Sequence, residues 1–398
     1  MNIMIYPGKL HGIVQAIPSK SHAHRLLICA AFSDSPTFLR CPQTNQDIEA
    51  TADCLRSLGA KVERSDDGYH ITPVSDIPKQ AILDCRESGT TLRLMLPICC
   101  ALGVETTFRM SGRLPYRPLS PLWEELERMG CVLTRPADHT IHVAGKLCAG
   151  HFIICGDVSS QFISGLLFAA ALMDGKSQIE VVGRIESLPY IQMTQQALAA
   201  FGIASDNYEV TGGFPFHAPR ELNVEGDWSN AAFFLAAKEL GSDLIVEGLD
   251  FDCTQGDRAV AEILRISSPN PSISAANIPD LVPILAIFFA SRSGAVFTDI
   301  QRLRLKESDR VASVCQMMSA LGAKAEADET TLTVYPGKFH ACSIDSAADH
   351  RIAMAAAIAA TVADGPVNIL GAECVAKSYP AFWQEFSRLG GRYEQYIR

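Results

Sequence analysis

A short phrase recurs along this chain: the end of an amphipathic helix, a glycine, a strand, a polar turn and a second strand. Residues 54–62 carry it around Leu58-Gly59, turning at Asp66-Asp67-Gly68 into Tyr69-His70-Ile71. It returns around Met129-Gly130, with Asp138-His139 ahead of Ile141-His142-Val143, and again around Phe201-Gly202, Leu321-Gly322 and Leu389-Gly390. The glycine has a physical task, because left-handed backbone ends a helix and turns the chain into a strand. Gly59, Gly130 and Gly202 lie 71 and 72 residues apart, Gly322 and Gly390 lie 68 apart, and the interval of 120 from Gly202 to Gly322 leaves room for a shortened copy near Ala261-Glu262-Ile263-Leu264-Arg265. Six units of about 65 residues thus fill the 398 residues. Solenoid repeats run at roughly 20 to 50 residues, and single cores rarely exceed roughly 250 to 300. The expectation is an α/β (α+β) chain in two domains of three units each.

Charge narrows the partners. The chain is acidic, with 34 Lys plus Arg against 44 Asp plus Glu, yet its cations gather in short groups. Lys20 and Arg25, Arg113 and Arg117, Lys306 and Arg310, Arg351 and Lys377 stand beside Ser, Gly and Pro at turn-like positions. Binding a nucleic acid needs a broad basic surface, which this composition argues against. Sparse cations at turns suit a small, multiply charged anion such as a phosphate or carboxylate metabolite. The longest apolar runs fall short of the ~20 residues of a membrane span, and the opening residues lack the basic flank and apolar core of a secretory signal. The 13 cysteines are scattered, with no Cys-x-x-Cys, so reduced thiols in a cytoplasm and no structural zinc are expected.

The polar groups also share a placement. In Pro18-Ser19-Lys20-Ser21, Ser19 or Ser21 caps the helix that includes Arg25, and free amides there with one Lys and one Ser form an anion cradle. Ser88-Gly89-Thr90 and Ser159-Ser160-Gln161 each open an apolar helix, Asp227 or Ser229 caps another, and Asp349-His350-Arg351 opens an Ala-rich one. Lys306 and Arg310 are i and i+4, so on a helix they share a face and clamp an anion, with Glu307 beside them. A solvated, salt-bridged helix is the plainer reading of that charge mixture. Asp280, between Pro279 and Pro283, is a buried base or simply a cap. His22 and His24 face apart on a helix, which argues against a metal site.

Taken in order, Pro18-Ser19-Lys20-Ser21 with Arg25, Gly89-Thr90 with Arg93, Arg117-Pro118-Leu119, Ser159-Ser160-Gln161, Glu225-Gly226-Asp227, Lys306-Glu307-Ser308-Asp309-Arg310, Asp349-His350-Arg351 and Ala376-Lys377 resemble the EPSP synthase (3-phosphoshikimate 1-carboxyvinyltransferase) family across the whole chain. The resemblance implies two domains of three βαβαββ units, with residues 1–18 plus 226–398 forming the phosphoenolpyruvate side and residues 19–225 the shikimate 3-phosphate side. The active site would lie between them. It implies transfer of an enolpyruvyl group from phosphoenolpyruvate to the 5-hydroxyl of shikimate 3-phosphate, with no cofactor and no metal, by a cytoplasmic monomer that glyphosate inhibits.

By the same resemblance, Ser21, Arg25, Ser159, Ser160, Gln161, Ser187, Tyr190, Asp280 and Lys306 belong to shikimate 3-phosphate, and Lys20, Gly89, Arg117, Gln161, Arg310, Arg351 and Lys377 to phosphoenolpyruvate. Asp280 would be the base on the hydroxyl and Glu307 the proton donor to carbon, with Lys20 assisting and His350 adjacent. Two positions depart from the family pattern: Glu87 and Arg302 stand where asparagine is usual, and Glu87 is expected to pair with Lys20 or an arginine. An enolpyruvyl transferase acting on UDP-N-acetylglucosamine is the neighbouring alternative. It would have Lys-Asn at Lys20-Ser21 and a reactive cysteine near Arg113, and residues 111–121 contain none. A non-catalytic, repeat-built binding protein is the alternative outside enzymes.

Overall fold

The computed structural model describes residues 1–396. The chain divides into two compact units, one of Met1–Ile17 with the residues from Gly226 onward, the other Pro18–Glu225. Each is closed around its own core of buried aliphatic and aromatic side chains. The crossings are pinned by backbone bonds inside each unit: the Ser19 amide donates to the Glu225 carbonyl at 2.7 Å, and the Asp227 amide to the Ile17 carbonyl at 2.8 Å. A Cβ on Gly226 would come within 2.1 Å of the Gly248 carbonyl oxygen, so this turn excludes any side chain.

The repeat appears as sheets. In the unit Pro18–Glu225, strands Gln80–Asp84 and Glu105–Arg109 run parallel across helix Gly89–Leu102. After helix Leu122–Arg128, strands Val132–Thr134 and Thr140–Ala144 close the sheet antiparallel. A second sheet of the same form sets Glu221–Asn223 parallel to Thr37–Arg40 and pairs the latter with Gly68–Thr72 and Lys61–Ser65 beyond it. The third, His151–Cys155, Gly175–Val182 and Glu209–Gly212, keeps three strands. In the other unit, Ser272–Ser274, Ala295–Thr298, Thr331–Val334 and Ala325–Ala327 repeat the pattern in that order. Another sheet joins both chain ends, with Asn2–Tyr6 between Val367–Leu370 and Arg392–Tyr396. The shortened copy survives as the parallel pair His11–Gln15 and Asp243–Glu247, and its second helix is a single turn, Val260–Ile263.

The five marker glycines all adopt positive φ, at +102° for Gly59, +98° for Gly130, +81° for Gly202, +82° for Gly322 and +89° for Gly390. The first helix of four units is buried on nearly every face. Helix Ser160–Leu172 has nearly all its residues buried, as do Gly89–Leu102, Val282–Ala290 and His350–Ala360. Such helices satisfy themselves only inside a core. Close approach is built in: a Cβ on Gly165 would come within 2.4 Å of the Arg93 carbonyl and 2.7 Å of Pro97 Cγ, so glycine lets helix Ser160–Leu172 lie directly on helix Gly89–Leu102. No helix among the described residues is long and apolar enough to cross a membrane.

The glycine turns make a graded prediction. At Gly130 an added Cβ meets nothing within 4 Å, so alanine there costs only the left-handed backbone, about 1 kcal/mol. At Gly59 the same Cβ would sit 2.9 Å from the Asp76 carbonyl oxygen, so Gly59→Ala should lower the urea midpoint of its unit by more than Gly130→Ala does. Equal midpoints for the two variants would contradict it.

Candidate active site

In the unit Pro18–Glu225 the chemistry gathers at helix starts. Ser19 caps helix Lys20–Ala31 by accepting from the His22 amide, and Lys20, at its first position, places Nζ 2.8 Å from Asp47 Oδ2 in the first turn of helix Gln46–Ser57. Arg25, one turn on, is buried, and it donates to the Ser21 carbonyl (2.6 Å), Thr194 Oγ1 (2.8 Å) and the Tyr190 carbonyl (2.9 Å). Burial lowers its pKa only to about 10, so it stays charged. Those bonds hold the start of helix Leu188–Ala200, whose cap Ser187 takes a left-handed φ of +55°.

Helix Gly89–Leu102 is capped by Ser88, and Ser88 Oγ ends a buried chain of hydroxyls through Thr91 and Thr51 to His24 Nδ1, with links of 2.8, 2.8 and 2.7 Å. Burial pushes His24 down to about 3 and His22 to about 4, so both rings are neutral at pH 7. A Cβ on Gly89 would stand 2.5 Å from Arg93 Nη1 and 2.8 Å from Arg117 Nη1. The missing side chain therefore admits two guanidinium groups over one helix N-terminus, where the dipole already favours an anion. Gln161, in the first turn of helix Ser160–Leu172, donates to Thr90 Oγ1 at 2.8 Å and accepts from Arg93 Nη1 at 3.3 Å. Lys20, Gly89, Arg93 and Gln161 thus lie on linked helix starts, and Arg117 reaches Gly89 from the end of the 3-10 turn Leu114–Tyr116. Glu87 packs against Gly112, where an added Cβ would overlap its carboxylate.

The other unit is organised by one guanidinium. Arg310 is fully buried at the first position of helix Arg310–Ala320 and contacts three carboxylates: Asp349 Oδ2 at 3.0 Å from Nε, Asp280 Oδ1 at 2.7 Å from Nη1 and Glu307 Oε2 at 2.9 Å from Nη2. Lys306 Nζ lies 3.8 Å from Asp280 Oδ1, and Arg351 Nη2 lies 3.5 Å from Asp280 Oδ2. Burial would raise Asp280, but Lys306, Arg351 and Arg310 prevail and hold it well below the usual carboxylate range. Burial pulls the Lys306 ammonium down to about 8 against the opposing pull of Asp280. Asp349 caps helix His350–Ala360 through the Arg351 amide, and its other oxygen also accepts from Ser308 Oγ at 3.0 Å. His350 and Lys377 are both buried here, and Ser378 Oγ reaches Asn230 Oδ1 at 3.4 Å.

One local expectation needs correction. Lys306 and Arg310 do not share a helix face: Lys306 is extended after the 3-10 turn Gln301–Leu305, and the α-helix begins only at Arg310. They meet at Asp280 instead, which brings a third chain segment to the pair. Lys20 also lies against Asp47, a partner the sequence reading did not name. Ser19, rather than Ser21, caps its helix, and Asp227, rather than Ser229, caps helix Trp228–Glu239. Asp47 and Asp349 were not singled out as site residues. Asp349 was recognisable as a helix cap, but nothing local marked it as an anchor for Arg310. Among the described residues no group of three or more His, Cys, Asp or Glu side chains is placed to hold a metal ion.

Comparisons place this arrangement among known proteins. The family model for EPSP synthase (3-phosphoshikimate 1-carboxyvinyltransferase) matches residues 5–268 and 268–386. A 3-phosphoshikimate 1-carboxyvinyltransferase from Clostridium kluyveri is 36% identical over 99% of this chain and 98% of its own length, and one from Clostridium perfringens is 35% identical over 98% of each. Among solved structures, EPSP synthase from Acinetobacter baumannii matches with a TM-score of 0.80 at 24% identity over 99% of this chain and 100% of that one. The enolpyruvyl transferase NikO from Streptomyces tendae shares the fold at a TM-score of 0.76 and 16% identity, over 99% and 98% of the two chains. With matches of this extent, the chain belongs to the EPSP synthase (3-phosphoshikimate 1-carboxyvinyltransferase) family.

Proposed function

We propose that this chain transfers the enolpyruvyl group of phosphoenolpyruvate to the 5-hydroxyl of shikimate 3-phosphate, releasing phosphate. The observation that carries the reading is Arg310, which anchors Asp280 and Glu307 a single guanidinium apart within a family shown over the chain's full length. Two carboxyls held by fixed cations supply what addition and elimination need, a base for the hydroxyl and a proton carrier for the methylene carbon. Asp280, ionised among Lys306, Arg310 and Arg351, takes the hydroxyl proton as the oxygen attacks C2 of phosphoenolpyruvate. Glu307 delivers a proton to C3, giving a tetrahedral intermediate. Glu307 then recovers that proton as the C2–O bond to phosphate breaks, and phosphate leaves with the proton held by Asp280.

The cations divide by the groups they face. Lys20, Arg117, Arg310, Arg351 and Lys377 serve the carboxylate and phosphate of phosphoenolpyruvate, with Gly89 and Gln161 at the helix starts beside them. Ser21, Arg25, Ser159, Ser160, Ser187, Tyr190 and Lys306 serve shikimate 3-phosphate, and His350 lies next to the reacting groups. Preorganised donors of this kind stabilise developing charge without reorganisation. The close space over Gly89 makes glyphosate, which carries both a carboxylate and a phosphonate, an inhibitor competing with phosphoenolpyruvate. A cytoplasmic monomer completes this reading.

The primary test is phosphate release from phosphoenolpyruvate that depends on shikimate 3-phosphate and not on a UDP-sugar; release with the sugar alone would overturn the assignment. Asp280→Asn should lower kcat at least ~100-fold with an unchanged circular dichroism spectrum, and a wild-type kcat would remove Asp280 as the base. Lys306 is charged below about 8 and neutral above it, so kcat/KM for shikimate 3-phosphate should fall as pH rises through that value. Lys306→Arg should flatten the fall, and a parallel decline in both proteins would refute the role. Gly89→Ala should displace Arg93 and Arg117, raising KM for phosphoenolpyruvate and weakening glyphosate inhibition, while unaltered constants would show that the approach is irrelevant to binding.

A further inference from the structure

A fully buried carboxyl lies behind the reacting pair. Asp257, 1% exposed in the 3-10 turn Gly256–Ala259, hydrogen-bonds Ser229 Oγ through Oδ2, while its Oδ1 is buried and has no hydrogen-bond partner among the described residues. Ser229 passes the contact on: its carbonyl accepts from Arg351 Nη1 at 2.8 Å, and Arg351 Nη2 lies 3.5 Å from Asp280 Oδ2. The neighbouring Gln255 ties the same helix start, accepting from the Trp228 amide at 3.1 Å and donating to the Gly226 carbonyl at 2.7 Å. An amide thus anchors this turn at two points, the Trp228 amide and the Gly226 carbonyl. The contact with Ser229 uses a carboxyl, although a buried carboxyl with an open oxygen is the costlier choice and the anchor alone does not require it.

We propose that Asp257 is a positioning residue for the transfer reaction: through Ser229 it holds Arg351 against Asp280, and its charge sets how strongly Asp280 is driven to accept the hydroxyl proton. The inference rests on Asp280 acting as the base. The charged groups that face Asp257 are Asp280 ahead of helix Val282–Ala290, Asp227 at the cap of helix Trp228–Glu239 and Arg351 from helix His350–Ala360; Arg258 on its own turn is committed to the Phe251 carbonyl. Burial and the nearby Asp280 push Asp257 from 3.8 up to about 7, against the Ser229 hydrogen bond and Arg351. Asp257 is therefore neutral below that value and ionised above it. When ionised it offsets Arg351 and repels the charge on Asp280, which makes Asp280 the better base.

The test is the pH profile of kcat for phosphate release. In the wild type kcat should rise through about 7 as Asp257 ionises. Asp257→Asn, fixed neutral with a group that still reaches Ser229, should lose that rise. It should fall about 3- to 10-fold below wild type at high pH, converge with it at low pH and leave both KM values within about twofold. A constant ratio across the whole pH range, as a structural defect would give, overturns the proposal, and so does a superimposable profile. Ser229→Ala supplies a second reading even if the asparagine variant fails to fold. Losing the hydrogen bond that favours the ionised form should move the wild-type inflection upward, and an unmoved inflection overturns the proposal. Failure of the base assignment is separable: it appears as a fully active Asp280→Asn, whatever the Asp257 variants do.

Discussion

The Arg310 guanidinium is the interaction on which one half of this molecule's chemistry depends. It is buried at a helix start and joined to Asp280, Glu307 and Asp349, each on a different chain segment. Removing one partner of such a buried cluster typically costs about 3 to 5 kcal/mol, because the remaining charges stay desolvated. The cluster fixes two carboxyls that would otherwise be free to rotate, and it ties the cap of helix His350–Ala360 to the start of helix Arg310–Ala320. Its net charge is acidic before Lys306 and Arg351 join, so the added cations leave the set poised for small anions rather than flooded with positive charge.

The unit Pro18–Glu225 reaches the same end by another route. Here glycine rather than a carboxylate hub sets the geometry. Gly165 brings two apolar helices together, and Gly89 lets Arg93 and Arg117 approach one helix N-terminus. Gln161 then bridges Thr90 and Arg93 across the two helix starts. Helix dipoles and cations act in the same direction, so the anion preference follows from backbone packing as much as from side chains.

Much of this was legible in the chain. The Leu-Gly helix ends carried their own conformational requirement, and the positive φ at Gly59 through Gly390 is the direct reading of it. The caps Ser88, Ser159 and Asp349 were visible because a polar residue before an apolar run has few other uses. What stayed hidden depends on distance in sequence. The Lys20–Asp47 pair spans 27 residues, and the Arg310–Asp349 pair spans 39. No local spacing encodes such contacts, which arise only when separate helix starts meet. The mistaken shared face of Lys306 and Arg310 has the same origin, because a carboxylate 30 residues from Arg310, Asp280, competes with helix propensity for where the chain turns.

Strand Asn2–Tyr6 lies between Val367–Leu370 and Arg392–Tyr396. During synthesis this strand is made long before the two strands it pairs with. The unit Pro18–Glu225 can close while the later chain is still being made, since all its strands precede Gly226. Asn2–Tyr6 can take its place only once both later strands exist, and the burial of Ile3 and Ile5 in the folded sheet waits on them. The topology thus sets an order of assembly: the sheet around Asn2–Tyr6 is completed after the strands of the unit Pro18–Glu225 are all in hand.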